Sequence, residues 1–174
     1  MTRGSVADVT AVLEHALWTG LALSIYLSAA FVGIALLNQE IWLGDLPPDI
    51  QEAWGPQSSK ARWQKWAFGL PVLLTALAGI VWSTLRVIAA SGGSLGFLPL
   101  FIHTFVALSV FNLVDLLILD WLILVRIQPG FVVLPGTEGL AGYDDYRFHG
   151  HAFLIGTTGI LVVSLLAGLL GQLL

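Results

Sequence analysis

The sequence predicts an all-α protein, a four-helix transmembrane bundle with two longer cytoplasmic loops. Of its 174 residues, 57% are hydrophobic and only 10% are charged, and the mean hydropathy is +0.88. Soluble domains carry about 25% charged residues, so a chain this poor in charge cannot cover its surface with groups that water solvates. Its long apolar runs reach the length of about 20 residues at which a helix crosses the hydrocarbon core of a bilayer.

Four apolar segments meet that length, and we expect them to form one transmembrane domain over residues 1–174. They cover residues 16–37, 66–90, 97–127 and 152–170. The third is longer than a bilayer requires, which predicts tilting or protrusion. The short turn from Ser91 to Ser94 contains two glycines, so the second and third helices are expected to be antiparallel neighbours.

The distribution of positive charge predicts the orientation. The two longer loops and their edges carry five cationic residues, namely Lys60, Arg62, Lys65, Arg126 and Arg147. The opposite side carries two, Arg3 and Arg86. Because cytoplasmic loops are enriched in Lys and Arg, both long loops are predicted in the cytoplasm and both termini outside, with a bacterial inner membrane as the expected location.

Composition also excludes several kinds of chemistry and partner. The chain has no cysteine, which removes disulfides, thiolate nucleophiles and iron–sulfur clusters. A formal net charge of −4 argues against a nucleic-acid partner. No phosphate-binding glycine loop, nucleophile elbow or zinc-protease helix is present in the sequence. The partners that we expect are the lipid bilayer and a lipophilic small molecule.

Small residues recur four positions apart on three of the helices. They are Gly20, Ser24 and Ser28, then Thr75, Gly79 and Ser83, and finally Ser164 and Gly168. Such stripes allow helix backbones to approach closely in lipid. Close packing within one bundle is the simpler interpretation, and a homodimer face or a larger membrane complex is the alternative.

The third helix carries the first group of predicted site residues. Asn112, Asp115 and Asp120 interrupt an otherwise apolar span, with Trp121 beside them. An ionised Asp at mid-membrane costs about 2.5–3.5 kcal/mol on insertion scales, so these side chains should face the interior, be paired or be protonated. Asn112 and Asp115 share an α-helical face, whereas Asp120 is rotated off it. We expect Asp115 or Asp120 to be a general acid; the alternative is a buried Asp bonded to capping groups or an arginine.

The second group lies in the loop that follows. Two Pro-Gly pairs bracket a short apolar run, residues 131–134, which predicts a strand or a partly re-entrant segment. Glu138 stands between Gly136 and Gly139, where glycine permits close approach to a carboxylate, and it is a predicted catalytic residue. An ordinary turn is the alternative.

The third group directly precedes the last span. Asp144 and His149 are predicted to complete proton transfer. The residues predicted to bind substrate are Asn112, Trp121, Tyr143, Tyr146, Arg147 and, from the end of the first span, Glu40. On an extended chain His149 and His151 would point the same way and, with Asp145, could hold a divalent metal. The alternative is that this segment caps and anchors the fourth helix.

These three groups also carry a resemblance. Residues 111–153 resemble an uncharacterised family of small four-span bacterial integral membrane proteins through the motifs NLVDLLILDW at 112–121, PGTEG at 135–139 and YDDYRFH at 143–149. The resemblance implies no function, but it implies that the three motifs form one site or one structural unit. By architecture alone the chain is similar to small helical-bundle isomerases and cyclases of sterols and terpenes.

These patterns together predict a small membrane enzyme of cyclase or isomerase type that uses buried carboxylates for acid/base chemistry on a lipophilic, isoprenoid-like substrate, without a cofactor. The first alternative is a non-catalytic accessory subunit of a membrane complex, holding haem or pigment through His15 or His103. The second is a proton-coupled transporter, against which the fourth span carries no ionisable residue after Ala152 and the two halves show no inverted repeat.

Overall fold

The computed structural model describes residues 3–93 and 95–171, with side chains from residue 9 onward. Within those ranges the chain is helical with connecting turns and has no strand, which confirms the predicted all-α class. The α-helices are α1 (Arg3–Leu37), α2 (Pro48–Trp54), α3 (Ser59–Ala90), α4 (Phe97–Val114) and α5 (Tyr146–Leu170). Short 3₁₀ helices cover Gln39–Asp45 and Ala141–Asp144.

Four helical segments are long and apolar enough to cross a membrane, which makes this an integral membrane protein. They are Val9–Leu37, Ser59–Ala90, Phe97–Ile127 and Tyr146–Leu170. Helices α3 and α5 begin before the apolar runs predicted for them because hydrogen-bonded caps, rather than hydropathy, determine where they start. The Ser58 hydroxyl accepts from the Ala61 N–H at 3.1 Å, and the Asp145 carboxylate accepts from the N–H groups of Arg147 and Phe148.

The third span changes its helical geometry halfway along. After α4 ends at Val114, residues Asp115–Ile127 form a π-helix, in which backbone hydrogen bonds join residues five apart. We call this the π segment. It ends at Gln128, whose left-handed backbone (φ 49°, ψ 54°) directs its N–H to the Ile123 carbonyl at 2.9 Å. The α-helical spacing assumed for this span therefore does not hold beyond Val114.

The chain divides into two compact units. The first comprises Met1–Ile25, Ala76–Leu113 and Leu154–Leu174, and we call it the terminal unit. The second comprises Tyr26–Thr75 and Val114–Phe153 and contains both long loops, so we call it the loop unit. Each of the four spans contributes one stretch to each unit.

In the terminal unit, small residues bring helices into close contact. Its buried cluster consists of Ala16, Leu23, Ile80 and Ala107. A Cβ atom added to Gly20 of α1 would lie 2.6 Å from the Ala107 carbonyl oxygen on α4. One added to Gly168 of α5 would lie 2.8 Å from the Phe97 ring. These two glycines of the predicted stripes therefore serve packing within the chain.

In the loop unit, the two long loops pack on each other as a small globular structure, which we call the loop cap (residues 38–58 and 128–145). Its core contains five buried residues, Leu43, Leu46, Ile50, Leu134 and Tyr143. Residues 131–134 contain a turn and a bend and no strand, so the predicted strand is wrong. The Leu134 side chain is buried in the cap core, and its N–H donates to the Tyr143 hydroxyl at 2.9 Å. A tertiary contact thus satisfies a backbone group that a strand would have paired in a ladder.

Polar side chains tie the two loops of the cap together. Asp49 accepts a hydrogen bond from the Gly142 N–H at 2.8 Å. Gly142 is required here, because a Cβ would overlap the Asp49 carboxylate and lie 2.8 Å from Pro47. With its amide nitrogen turned toward the second loop, Gln39 donates to the carbonyls of Gly130 at 3.0 Å and Val133 at 3.2 Å.

Candidate functional site

The Asp120 carboxylate and the His149 imidazole face each other in the loop unit. His149 Nδ1 lies 3.2 Å from Asp120 Oδ1, and their side chains are only 6% and 18% exposed, respectively. Asp120 is on the π segment and His149 is in the first turns of α5. A carboxylate at Nδ1 orients the ring and favours the tautomer with hydrogen on Nδ1, which leaves Nε2 for exchange with a ligand.

Asp115 joins this pair because of the π-helical geometry. Asp115 and Asp120 are five residues apart, the spacing of one hydrogen-bonded π turn. Asp115 interacts electrostatically with both Asp120 and His149. The prediction that Asp120 is rotated off the face of Asp115 depended on α-helical spacing, which this segment does not have. Two carboxyl groups and one imidazole are therefore grouped together, and side chains of these types can hold and transfer protons.

Aromatic side chains flank the cluster. The Trp121 and Tyr146 rings meet edge to face at 5.7 Å, and Phe148 meets the His149 ring in the same way at 5.4 Å. The Trp121 Nε1–H is buried and has no hydrogen-bond partner among the described residues. An unpaired buried donor is costly, so this indole is suited to binding an acceptor atom of a ligand.

Glu40, predicted to bind substrate, holds the loop cap together. Its carboxylate accepts from the Ser58 N–H at 2.6 Å, the Ser58 hydroxyl at 2.7 Å and the Trp54 indole at 3.4 Å. Burial by itself would raise the pKa of Glu40, but the hydrogen bonds from Ser58 and Trp54, with the positive charge of Arg62, outweigh it and lower the pKa. Both carboxylate oxygens are thus engaged in the fold.

Three further predicted site residues also make local contacts within the cap. Glu138 is exposed and accepts from the Gly136 N–H at 2.8 Å, and its own N–H and that of Gly136 lower its pKa. Asp144 is exposed and accepts from the Gln128 amide at 3.0 Å. The buried Tyr143 hydroxyl contacts the Leu134 N–H and the Thr137 hydroxyl, each at 2.9 Å. These contacts stabilise the turns of the cap.

The alternative of a divalent metal at His149, His151 and Asp145 assumed an extended chain and does not fit the helix. Residues two apart on a helix such as α5 lie on nearly opposite faces. Accordingly, His149 is buried whereas His151 is exposed. Asp145 caps α5 through the N–H groups of Arg147 at 2.9 Å and Phe148 at 3.0 Å. Among the described residues no group of three or more His, Cys, Asp and Glu side chains could hold a metal ion.

The terminal unit contains a second polar cluster, which sequence reasoning missed. The Ser83 hydroxyl of α3 lies 3.0 Å from His103 Nε2 of α4, 3.2 Å from His15 Nδ1 of α1 and 2.6 Å from the Thr19 hydroxyl of α1. The sequence identified Ser83 only as a small residue. The available signal was four polar residues on three apolar helices, two of them on α1, but only the packing of α1, α3 and α4 brings them together.

Asn112 also belongs to the terminal unit, where its amide donates to the Thr157 hydroxyl of α5 at 3.1 Å. A Cβ on Gly156 would lie 2.8 Å from the Asn112 side-chain oxygen, so a small residue is needed opposite it. This contact gives the amide a structural role between α4 and α5.

Comparison with known proteins adds no relative to this picture. No protein-family model, no curated protein sequence and no solved structure matches the chain.

Proposed function

We propose that this protein is a small membrane enzyme that performs acid/base chemistry of the isomerase or cyclase type on a lipophilic, isoprenoid-like substrate. The observation that carries the proposal is the contact of 3.2 Å between Asp120 and His149, next to Asp115, within segments apolar enough to span a membrane. Ionisable groups at such positions are expensive to insert, and they generally serve a function.

The three side chains are suited to moving a double bond. Shielded from water, the Asp115 carboxyl would donate its proton to one carbon of an alkene, because no water competes for that proton. His149 Nε2 would remove a proton from the carbon next to the resulting cation, so the double bond shifts by one position. The Asp120 carboxylate would stabilise the imidazolium formed. Return of that proton to Asp115 restores the starting state, with no oxidant or cofactor consumed.

The aromatic side chains support the same chemistry. A carbocation formed by alkene protonation is stabilised by the faces of aromatic rings, as other cations are. Trp121 directly follows Asp120 in the sequence, Tyr146 lies three residues before His149, and the centroids of their rings are 5.7 Å apart. The free Trp121 indole N–H offers a hydrogen bond to an oxygen of the substrate.

The two alternatives have weaker support. A haem- or pigment-binding accessory subunit would use His15 or His103, but one nitrogen of each ring contacts the Ser83 hydroxyl that lies between them. A proton-coupled transporter would place ionisable groups along the spans, whereas α5 has none from Leu154 to Leu170.

To test the enzyme proposal, the wild-type protein and its Asp115→Asn, Asp120→Asn and His149→Gln variants are expressed in a bacterial host, and membrane lipids are compared by mass spectrometry. We expect a lipophilic species to change in amount with the wild type, and the conversion to fall by roughly 10²-fold or more in the three variants. Asp45→Asn is the matched control, because this exposed carboxylate of the loop unit pairs with Lys65, at 2.8 Å, and lies outside the proposed site. Equal conversion by wild type and site variants would refute the proposal.

We also infer that the loop cap faces the cytoplasm of a bacterial inner membrane, since the loops and their edges carry five of the seven Lys and Arg residues. The absence of native cysteine makes single-cysteine labelling direct. In spheroplasts, a membrane-impermeant maleimide should label Ser91→Cys, in the exposed α3–α4 turn. It should label Glu52→Cys, exposed on α2, only after permeabilisation. The reverse pattern would invert the topology.

A further inference from the structure

Three membrane-spanning helices contribute polar side chains to one point in the terminal unit. The group consists of His15 and Thr19 from α1, Ser83 from α3 and His103 from α4, and we call it the relay cluster. His103 is fully buried, Ser83 is 2% exposed, and the two imidazole rings lie 5.7 Å apart. The cluster shares no residue with the site around Asp120.

The hydrogen atoms of the cluster can be arranged in two ways. Ser83 has one hydroxyl hydrogen and can accept two bonds, and it has a histidine nitrogen on each side, at 3.0 and 3.2 Å. It can accept from His103 Nε2–H and donate to His15 Nδ1, or accept from His15 Nδ1–H and donate to His103 Nε2. In both arrangements the Thr19 hydroxyl can donate to the Ser83 oxygen, 2.6 Å away, or to the backbone carbonyl of His15, 2.8 Å away.

We propose that the relay cluster is a membrane-buried proton-binding site, in which the Ser83 hydroxyl passes a proton between His15 and His103. His15 is half-buried, so it is the point of entry, and the fully buried His103 is the end of the path. When His15 carries an added proton, its Nδ1–H passes to the Ser83 oxygen while the Ser83 hydrogen passes to His103 Nε2. His15 is left neutral with hydrogen on Nε2, His103 is cationic, and the serine hydroxyl is regenerated.

The surroundings limit the cluster to one added proton. Glu14 of α1 is the one carboxylate in the terminal unit whose side chain is described, and it is exposed. Arg86 of α3 is exposed and stands over the Trp82 ring at 5.8 Å, and α5 contributes no ionisable group from Leu154 to Leu170. No described carboxylate therefore neutralises the cluster, and two imidazolium rings at this separation would repel each other strongly in a medium of low dielectric constant.

A cluster that only holds helices together differs from a relay in a measurable way. In a relay, protonation of His15 and of His103 is one coupled event and requires the Ser83 hydroxyl. In a static cluster, each ring has its own response to pH, and loss of the hydroxyl affects stability alone.

The test is nitrogen NMR of the full chain in lipid nanodiscs with ¹⁵N-labelled histidine, recorded as a function of pH. For the wild type we expect the His15 and His103 resonances to change with a common midpoint, while the exposed His151 serves as an internal reference. In Ser83→Ala, the His103 resonances should stop changing with pH, because the hydroxyl that carries the proton from His15 is gone. Ser83→Thr retains a hydroxyl and should restore the coupling.

Ser164→Ala is the matched control, because this buried hydroxyl of α5 donates to the Ile160 carbonyl of its own helix, at 2.7 Å. Separate midpoints in the wild type would overturn the proposal, as would an unchanged His103 response in Ser83→Ala, or no response of either ring while His151 titrates. Should Ser83→Ala fail to fold, His15→Gln tests the same proposal. This variant keeps a hydrogen-bonding side chain but removes the group through which the proton enters, so the His103 resonances should no longer change with pH.

Discussion

In the terminal unit the polar side chains come from the membrane-spanning helices themselves, whereas in the loop unit most come from the two loops of the cap. Ser83 and His103 meet helix to helix, at 3.0 Å. Asp49 and Glu40 are carboxylates that accept backbone N–H groups of Gly142 and Ser58. A helix interior has no free N–H to offer a carboxylate, because its backbone bonds are already made, so charge is accommodated where loops and helix ends expose donors.

Asp120 and His149 are an exception to this difference between the two units. Both lie within membrane-spanning segments of the loop unit, and they satisfy each other rather than loop backbone. Glu40, Asp49 and Asp145 accept backbone N–H groups, whereas the Asp120 carboxylate faces the His149 ring.

The largest effect on stability is expected at the helix contact of the terminal unit. In Gly20→Ala the new methyl group would lie 2.6 Å from the Ala107 oxygen, which forces α1 and α4 apart at a cost of about 1–3 kcal/mol. Thermal unfolding in detergent should register the loss. Hydrogen exchange should rise in the terminal unit while the loop cap stays protected. In Gly159→Ala no heavy atom lies within 4 Å of the added Cβ, so equal behaviour of the two variants would disprove the close approach.

The corresponding change in the loop unit is Tyr143→Phe. It leaves the buried Leu134 N–H without its acceptor and removes the contact with Thr137, at a cost of about 1–2 kcal/mol. Hydrogen exchange of residues 130–145 should increase, and the terminal unit should be unaffected. Tyr146→Phe is the control, because that residue is exposed and surface substitutions usually change stability by less than about 0.5 kcal/mol.

A smaller effect is expected at the start of α5. Asp145→Ala removes the acceptor for the N–H groups of Arg147 and Phe148 and should cost about 1 kcal/mol. Asp145→Asn retains a side-chain oxygen and should keep most of the stability. Because His149 is in the next turn, hydrogen exchange at residues 146–150 is the sensitive measurement. Identical exchange in the Ala and Asn variants would argue against the cap.

The smallest effect is a dependence of the loop unit on pH. The pKa of Glu40 is lowered from 4.5 in the folded protein, so its bonds to Ser58 stabilise the fold fully above that pH and are lost as the pH falls through the lower, folded value. Melting temperatures of the wild type and Glu40→Gln are compared from about pH 7 to about pH 3. The wild type should lose more stability on acidification, and parallel curves would contradict this assignment.

The sequence predicted the membrane class and the number of spans because both depend on properties of single segments. An apolar run of sufficient length must form a helix in lipid whatever surrounds it. The sequence also singled out Asp115 and Asp120, since carboxyl groups in an apolar run are visible without a structure, and His149 as part of the polar segment before the last span.

Their arrangement was decided only by tertiary structure. Asp115 and Asp120 come into register because the third span becomes a π-helix, a marginal conformation that local sequence does not specify. Tyr143 is buried because two loops distant in the sequence share one core. Ser83 meets both histidines because α1, α3 and α4 pack together, and contacts between helices leave no periodic signal in any one of them.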